Sequence, residues 1–352
     1  MPTFTLNRLT LEPVTLEPLT LEPCALYQAN RECSNPSVAK SLLKEFIVST
    51  PESRAICNDP FVLGVQYTRN LRKAGARAFA ALREHGAFHG EESSTAVLTI
   101  LRGGLNFELR EALSDAFGWN SHDAWFISAQ RRLTDPEKGH WEICEDAYSK
   151  IYPKGDVDVV LGDVVATGTS LRHGLSKLTA AGKENRDVRY KSVTFFTIGA
   201  AVSGDIVSEW QAEIEKIQGL APVCTVVYFE GIFGVASSET PLSIKIDGTD
   251  LLRRDGPMAP EFLSSQYENP TYPLERCTIY DAGSRAFHVR EYLEDVIDYW
   301  NKVSQLAGDG CDFKTLCNER CPKLDAGKFK TVTLSDVVSS QLHRLETLLK
   351  KG

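Results

Sequence analysis

Thr167, Gly168, Thr169 and Ser170 stand between an apolar run, Val157–Leu161, and a helical stretch, Leu171–Ala181. A turn of this kind offers successive backbone N–H groups and three hydroxyls at a helix amino terminus, where the dipole also favours negative charge. That chemistry suits a phosphate. Asp163 leaves the apolar run, and Val164 and Ala166 lead from it into the turn; a carboxylate there can accept two hydrogen bonds from vicinal sugar hydroxyls. A second apolar run, Thr95–Leu101, is followed by Arg102, Gly103 and Gly104. The glycines permit close backbone approach, and the guanidinium can pair with pyrophosphate oxygens. Each feature also has a plainer account. Ser170 can be an ordinary N-cap, Arg-Gly-Gly a tight turn with an exposed arginine, and Asp163 a solvated acid near a helix.

The elements that must position these residues alternate. Strands are expected at Thr95–Leu101, Ala124–Ala129, Val157–Leu161, Ser192–Ala200 and Cys224–Phe229. Helices are expected at 61–88, Leu105–Gly118, Leu171–Ala181 and Gly204–Ile217. Such alternation predicts right-handed crossovers and a parallel sheet with helices on both faces. The carboxyl ends of its strands are where open α/β sheets bind ligands. Beyond Gly234 the rhythm stops, and a proline-rich stretch leads to a long amphipathic helix, Ser284–Leu306, and a last one, Ser335–Leu349. At the other end, Leu9–Pro23 repeats a five-residue unit, LTLEP VTLEP LTLEP. Proline every fifth residue forbids a helix, so residues 1–40 are expected to form an extended or disordered arm, 41–235 the α/β core and 236–352 a loop-rich and helical region.

Read together, several of these segments resemble one family. The stretch VVLGDVVATGTS resembles the phosphoribosyl pyrophosphate loop of the type I phosphoribosyltransferases. Thr99–Leu105, TILRGGL, is similar to the pyrophosphate-binding loop of the uracil phosphoribosyltransferases. Tyr148–Pro153, YSKIYP, is similar to the return of that subfamily's flexible loop, and Tyr280–Phe287, YDAGSRAF, to the segment forming part of its base and ribose site. Order and spacing agree over about Thr95–Ala200. The resemblance implies an α/β fold with a parallel sheet flanked by helices, carrying the extended amino-terminal arm and a carboxyl-terminal helical extension. It implies a homo-oligomeric transferase that moves the phosphoribosyl group of phosphoribosyl pyrophosphate to a nucleobase or other nitrogen heterocycle, uracil among the candidates, with Mg2+ as cofactor and release of pyrophosphate.

Carried over position by position, Asp163, Arg102 and Arg131 become the catalytic residues. Gly103, Gly104, Val164, Ala166, Thr167, Gly168, Thr169 and Ser170 hold the donor, and Asp281, Ala282, Gly283 and Arg285 line the acceptor side. Arg131, Arg132, Lys138, His140, Lys150 and Lys154 then belong to a lid whose cations meet the leaving pyrophosphate. Two departures stand out. Gly162 occupies a position where the family usually carries an acid, and a long insertion separates YFEGIFG from YDAGSRAF. Two other classes therefore fit as well: a non-catalytic sensor of phosphoribosyl pyrophosphate, and an interaction or effector protein on the same scaffold.

Composition narrows the field. With 352 residues, a net charge of −8 and 42% hydrophobic residues, the chain is a globular protein without the charge for broad nucleic-acid binding. It has no apolar run near the ~20 residues of a membrane helix and no basic-then-apolar leader, so no membrane association and a cytoplasmic location are expected. Nine cysteines, an odd number, read as reduced thiols. Cys311, Cys317 and Cys321, with Cys277 or Cys57 as a fourth ligand, offer a metal alternative without matching a strong metal spacing. His173 and His288 read as helix-surface residues.

Overall fold

The computed structural model describes residues 4–9, 24–31, 43–101, 107–135, 140–237, 250–276 and 282–350. Three strands come first: β1 (Phe4–Leu9), β2 (Ala25–Arg31) and β3 (Leu43–Ser49). Then follow α1 (Pro51–Asn58), α2 (Val65–Glu84), β4 (Thr95–Leu101), α3 (Leu109–Phe117), β5 (Asp123–Ser128), β6 (Gln130–Asp135), β7 (His140–Glu145) and β8 (Ser149–Lys150). The centre of the chain holds β9 (Asp156–Val165), α4 (Thr169–Glu184), β10 (Arg189–Ala200), α5 (Val202–Gln218), β11 (Val223–Val235) and β12 (Leu251–Leu252). The helices α6 (Pro260–Ser265), α7 (Ala282–Phe287), α8 (Val289–Gly308), α9 (Phe313–Arg320) and α10 (Leu334–Leu349) complete it.

One large sheet runs in the order β1-β2-β3-β11-β10-β9-β4-β5-β8. From β3 to β5 every pairing is parallel. The interior strands are continuous apolar runs because both faces are covered. Phe195 and Phe196 of β10, for example, point to opposite layers and are both buried. On one face, Phe79 of α2 meets Phe196 edge to face at 4.6 Å. On the other, α4 and α5 pack together, with Trp210 Nε1 donating to the Leu175 carbonyl at 3.1 Å, and α4 lies against Ile100 and Ile127 at Gly174.

The expectation of a purely parallel sheet needs correction at its edges. β1 pairs antiparallel with β2, β2 antiparallel with β3, and β8 antiparallel with β5. A free parallel edge at β3 would present unpaired backbone groups; β2 covers it and buries Ala25, Leu26, Tyr27 and Ala29. β2 therefore belongs to the sheet although it falls within residues 1–40, and most of the five-residue repeat lies outside the described residues. β3 and α1 carried no mark in the sequence reading.

Beyond β11 a second apolar cluster forms around α8, where Tyr292, Leu293, Val296, Trp300 and Val303 meet Leu316, Val338 and Leu345. The single helix expected over Ser284–Leu306 is two, α7 and α8, because His288 leaves helical geometry at φ −128°, ψ 58°. Buried polar side chains tie this region to the core. Arg253 donates to the Cys57 carbonyl at 2.8 Å, and Glu275 accepts from Trp300 Nε1 at 2.9 Å and Gln341 Nε2 at 3.0 Å. No described helix is long and apolar enough to cross a membrane.

Candidate functional site

Strand order reverses between β4 and β9: the chain proceeds from β4 outward to β5 on one side, and from β9 through β10 to β11 on the other. In an open α/β sheet the crevice outside the carboxyl ends at such a switch point is the ligand site. The two segments singled out by sequence leave these two strands. β9 runs four residues past its expected end, to Val165, so Asp163 and Val164 are strand residues rather than loop residues. Asp163 is 8% exposed, and its Oδ1 accepts the Val164 N–H at 2.9 Å. In register beside it on β10 lies Thr197.

α4 begins at Thr169 with Gly168 as its N-cap, so Ser170 is inside the first turn and is not the cap. Gly168 has φ 83° and no side chain with which to cap, which leaves the first-turn N–H groups of α4 without a side-chain acceptor from the cap position. Thr167 and Thr169 face each other with hydroxyl oxygens 3.3 Å apart. A Cβ on Gly168 would meet the tip of the Ile206 side chain, so the turn lies close against α5, and its left-handed φ is one that glycine adopts without strain. Donors at a 16-residue helix terminus and two neighbouring hydroxyls are groups with which an anion can pair.

Gly162 is explained by its neighbour across the layer. Its side-chain position points away from Asp163, into the α3 face, where a Cβ would lie 2.9 Å from the Phe107 ring and 3.1 Å from Leu109 Cδ1. Phe107 is itself buried and stacks with Phe229 at 6.4 Å. The space of the expected acid is filled by a phenyl ring.

β6 and β7 form a separate antiparallel ribbon in the segment expected to be a lid, with Arg131 opposite Ile143 and Arg132 opposite Glu142. Its base is pinned where Ser128 N donates to the Tyr148 carbonyl at 2.8 Å and Tyr148 N to Ser128 Oγ at 3.0 Å. Asp146 pairs with Lys177 of α4 at 2.8 Å, which sets the ribbon beside that helix. Lys150 and Lys154 are exposed, and Lys138 lies outside the described residues. His173 is less peripheral than expected: its Nε2 is buried without a partner, and burial, then Lys177, hold its pKa below the ordinary value. His288 is exposed.

Arg102, Gly103, Gly104 and Asp281 lie outside the described residues. Ala282 and Gly283 open α7. Arg285, expected to line the acceptor side, is 1% exposed. Its Nε donates to the Val62 carbonyl at 2.7 Å and its Nη2 to the Asp59 carbonyl at 2.8 Å, while the guanidinium lies over the Tyr67 ring at 4.7 Å. These contacts clamp α7 to the loop before α2. A surface cavity of about 560 Å3 lies between α9 and α10, and none of its lining residues belongs to the strand ends. Cys317 and Cys321, one helical turn apart, are fully buried, and burial pushes the Cys317 thiol up to about 12.

No family model matches this sequence, and no curated protein matches it. Solved structures do. A hypoxanthine phosphoribosyltransferase from Staphylococcus aureus is 18% identical over 39% of this chain and 65% of its own, with a TM-score of 0.26. A hypoxanthine-guanine phosphoribosyltransferase from Bacillus anthracis is 21% identical over 37% and 68%, TM-score 0.24, and one from L. donovani 16% identical over 47% and 84%, TM-score 0.27. The chain thus spans just under two thirds of the staphylococcal enzyme. Likeness at this level reaches neither the acceptor nor the chemistry.

Proposed function

We propose that this chain is a phosphoribosyltransferase-type enzyme that joins a nitrogen heterocycle to the phosphoribosyl group of phosphoribosyl pyrophosphate. The observation that carries this is the uncapped, glycine-headed amino terminus of α4, set beside Asp163 at the topological switch of the sheet. A 5-phosphate would take the N–H groups and hydroxyls of Thr167–Ser170, with Val164 and Ala166 shaping the turn, and Asp163 would hold ribose hydroxyls. Arg102, Gly103 and Gly104, at the end of the adjacent β4, would meet the pyrophosphate. Arg131 on the ribbon would neutralise it as it leaves, and Asp281, Ala282 and Gly283 would border the acceptor.

In the reaction the ring nitrogen forms a bond to C1 of the sugar while the C1–O bond to pyrophosphate breaks. The electron pair leaves with pyrophosphate, and the ring N–H proton is released. The residues supply orientation and charge neutralisation rather than a covalent nucleophile. Mg2+ fits this arrangement in one way. Among the described residues there is no cluster of three acidic, histidine or cysteine ligands, but magnesium is commonly held by one or two carboxylates plus substrate phosphates, and Asp163 is such a carboxylate. When bound, the ion supplies charge for the pyrophosphate and ribose oxygens.

The test is to incubate the protein with phosphoribosyl pyrophosphate, magnesium and a panel of bases and to follow pyrophosphate release, with Asp163→Asn alongside. The variant keeps size and one acceptor oxygen but loses charge. Its single-turnover rate should fall further than its donor affinity, since misplacing reacting atoms by ~1 Å can cost ~100-fold in rate. Wild-type turnover in Asp163→Asn would show that Asp163 does not hold the sugar. A sensor is the second reading, favoured by the phenyl ring where the expected acid would stand; donor binding without pyrophosphate release from any base selects it.

A further inference from the structure

Residues in register on neighbouring strands share a face of the sheet, and faces alternate along each strand. Phe196 of β10 lies beside Gly162 and meets Phe79 of α2, so Thr197, one step on, points to the layer of α4 and α5. There it stands between Asp163 of β9 and Tyr228 of β11. Tyr228 marks the same face, since its hydroxyl oxygen accepts the Gly204 N–H of α5 at 3.2 Å. Thr197 is 0% exposed, and its Oγ1 has no hydrogen-bond partner among the described residues. Three other hydroxyls of β10 and β11 are engaged. Ser192 donates to Asp158 at 2.6 Å, Thr225 to the Ala87 carbonyl at 3.1 Å and Tyr228 to Glu45 at 3.0 Å. The Thr197 hydroxyl leans along the strand toward its carboxyl end: a Cβ on Gly199 would stand 2.6 Å from it and 2.9 Å from the Val165 carbonyl.

Taking the crevice as the phosphoribosyl site, on which this rests, we propose that Thr197 is a positioning residue for the donor sugar. Its hydroxyl donates to the Asp163 carboxylate when that carboxylate takes up the ribose hydroxyls, and so fixes the carboxylate in place. Adjacent strands lie ~4.8 Å apart, a span that a threonine and an aspartate side chain close with one hydrogen bond. A carboxylate offers roughly four acceptor sites, so Asp163 can hold the Val164 N–H, the sugar and Thr197 together. A buried hydroxyl without a partner destabilises the fold that carries it, and local rules of this kind are broken mainly at functional sites. Thr197 sits at such a place, beside Asp163 at the switch point of the sheet.

Removing the hydroxyl then acts oppositely on the free and the loaded protein. Thr197→Val keeps the shape and discards an unsatisfied group, so the ligand-free chain should unfold at the wild-type denaturant concentration or a higher one. Binding of phosphoribosyl pyrophosphate with magnesium, followed by calorimetry, should weaken about 10-fold, the scale of one hydrogen bond to a charged group. Thr197→Ser, which keeps the hydroxyl, should recover most of that loss. In an Asp163→Asn background, Thr197→Val should cost much less, because the two residues act through one contact. A valine variant that is less stable than wild type or does not fold, one that binds the donor as wild type does, a serine variant as weak as the valine one, or full additivity with Asp163→Asn overturns the role of Thr197 and leaves the crevice its ligand. A wild-type chain that takes up no donor at millimolar concentration overturns the phosphoribosyl reading itself, and the role of Thr197 with it.

Discussion

Gly162 and Asp163 are neighbours on β9 that face opposite layers, and the alternation of a strand gives them different tasks. Asp163 faces the α4 side, at the turn. Gly162 faces Phe107 and Leu109, and its lack of a side chain is a packing requirement of that layer. Gly162→Asp is therefore expected to fail as a restoration of a missing ligand. A Cβ at 2.9 Å from a buried ring already overpacks the site, which typically costs ~1–3 kcal/mol, and an unpaired carboxylate in an apolar layer adds more. Chemical denaturation should show a large loss of stability and donor binding should not improve; gain of donor affinity with stability intact would show that residue 162 does face the crevice. The turn between β9 and α4 was legible in the sequence because an apolar run followed by Thr-Gly-Thr-Ser is a local signal. Phe107 was not, because its role depends on a layer contact with a residue far along the chain, and the hold of Arg285 on the Asp59 and Val62 carbonyls was not, because those residues lie more than 220 positions away.

At the scale of elements, the strands that the sequence marked clearly are those buried on both faces. β4 spans its predicted residues; β9 and β10 extend beyond theirs because polar residues at strand ends still pair, and β11 because its pairing resumes beyond a bulge at Ile232 and Phe233. β2 and β3 escaped notice, since an edge hairpin carries no crossover rhythm and is fixed by what it covers. The start of α4 is set by backbone geometry. Gly168 supplies a left-handed φ of 83° at the N-cap and lies close against Ile206 of α5. Gly168→Ala meets both constraints at once. Left-handed backbone costs a residue with a Cβ ~1–2 kcal/mol, and the new Cβ must also displace the tip of the Ile206 side chain. Thermal unfolding should show destabilisation of this order or more, and phosphate-containing ligands should bind more weakly because the first-turn N–H groups shift. Unchanged donor affinity in a folded Gly168→Ala variant would mean that the turn does not bind the phosphate.

Across the whole molecule, one mixed sheet carries the switch-point crevice at its centre, and its two edges are closed by antiparallel strands that the crevice does not use. The carboxyl-terminal helices have their own apolar cluster, in which Glu275 ties α8 to α10, and Arg253 joins Glu275 to the Cys57 carbonyl of α1. The amino-terminal edge is the place where its contribution to the whole can be measured by truncation. Deleting residues 1–23 removes β1 but leaves β2 paired with β3, so β2 becomes the new edge and the parallel centre is untouched. Stability should change little. Deleting residues 1–31 is a different matter, because it strips Leu26 and Tyr27, both buried, and removes the Tyr27 hydroxyl that Glu261 accepts. Fully burying one such side chain contributes ~1.5–3 kcal/mol, and the uncovered edge of β3 presents open backbone groups beside Phe46, Ile47 and Val48. The longer truncation should therefore unfold at distinctly lower denaturant and scatter light on standing, while the shorter one behaves as the full chain does. If both truncations unfold alike, β2 contributes nothing to the sheet in solution, and the amino-terminal stretch is the loose arm that its repeats suggested.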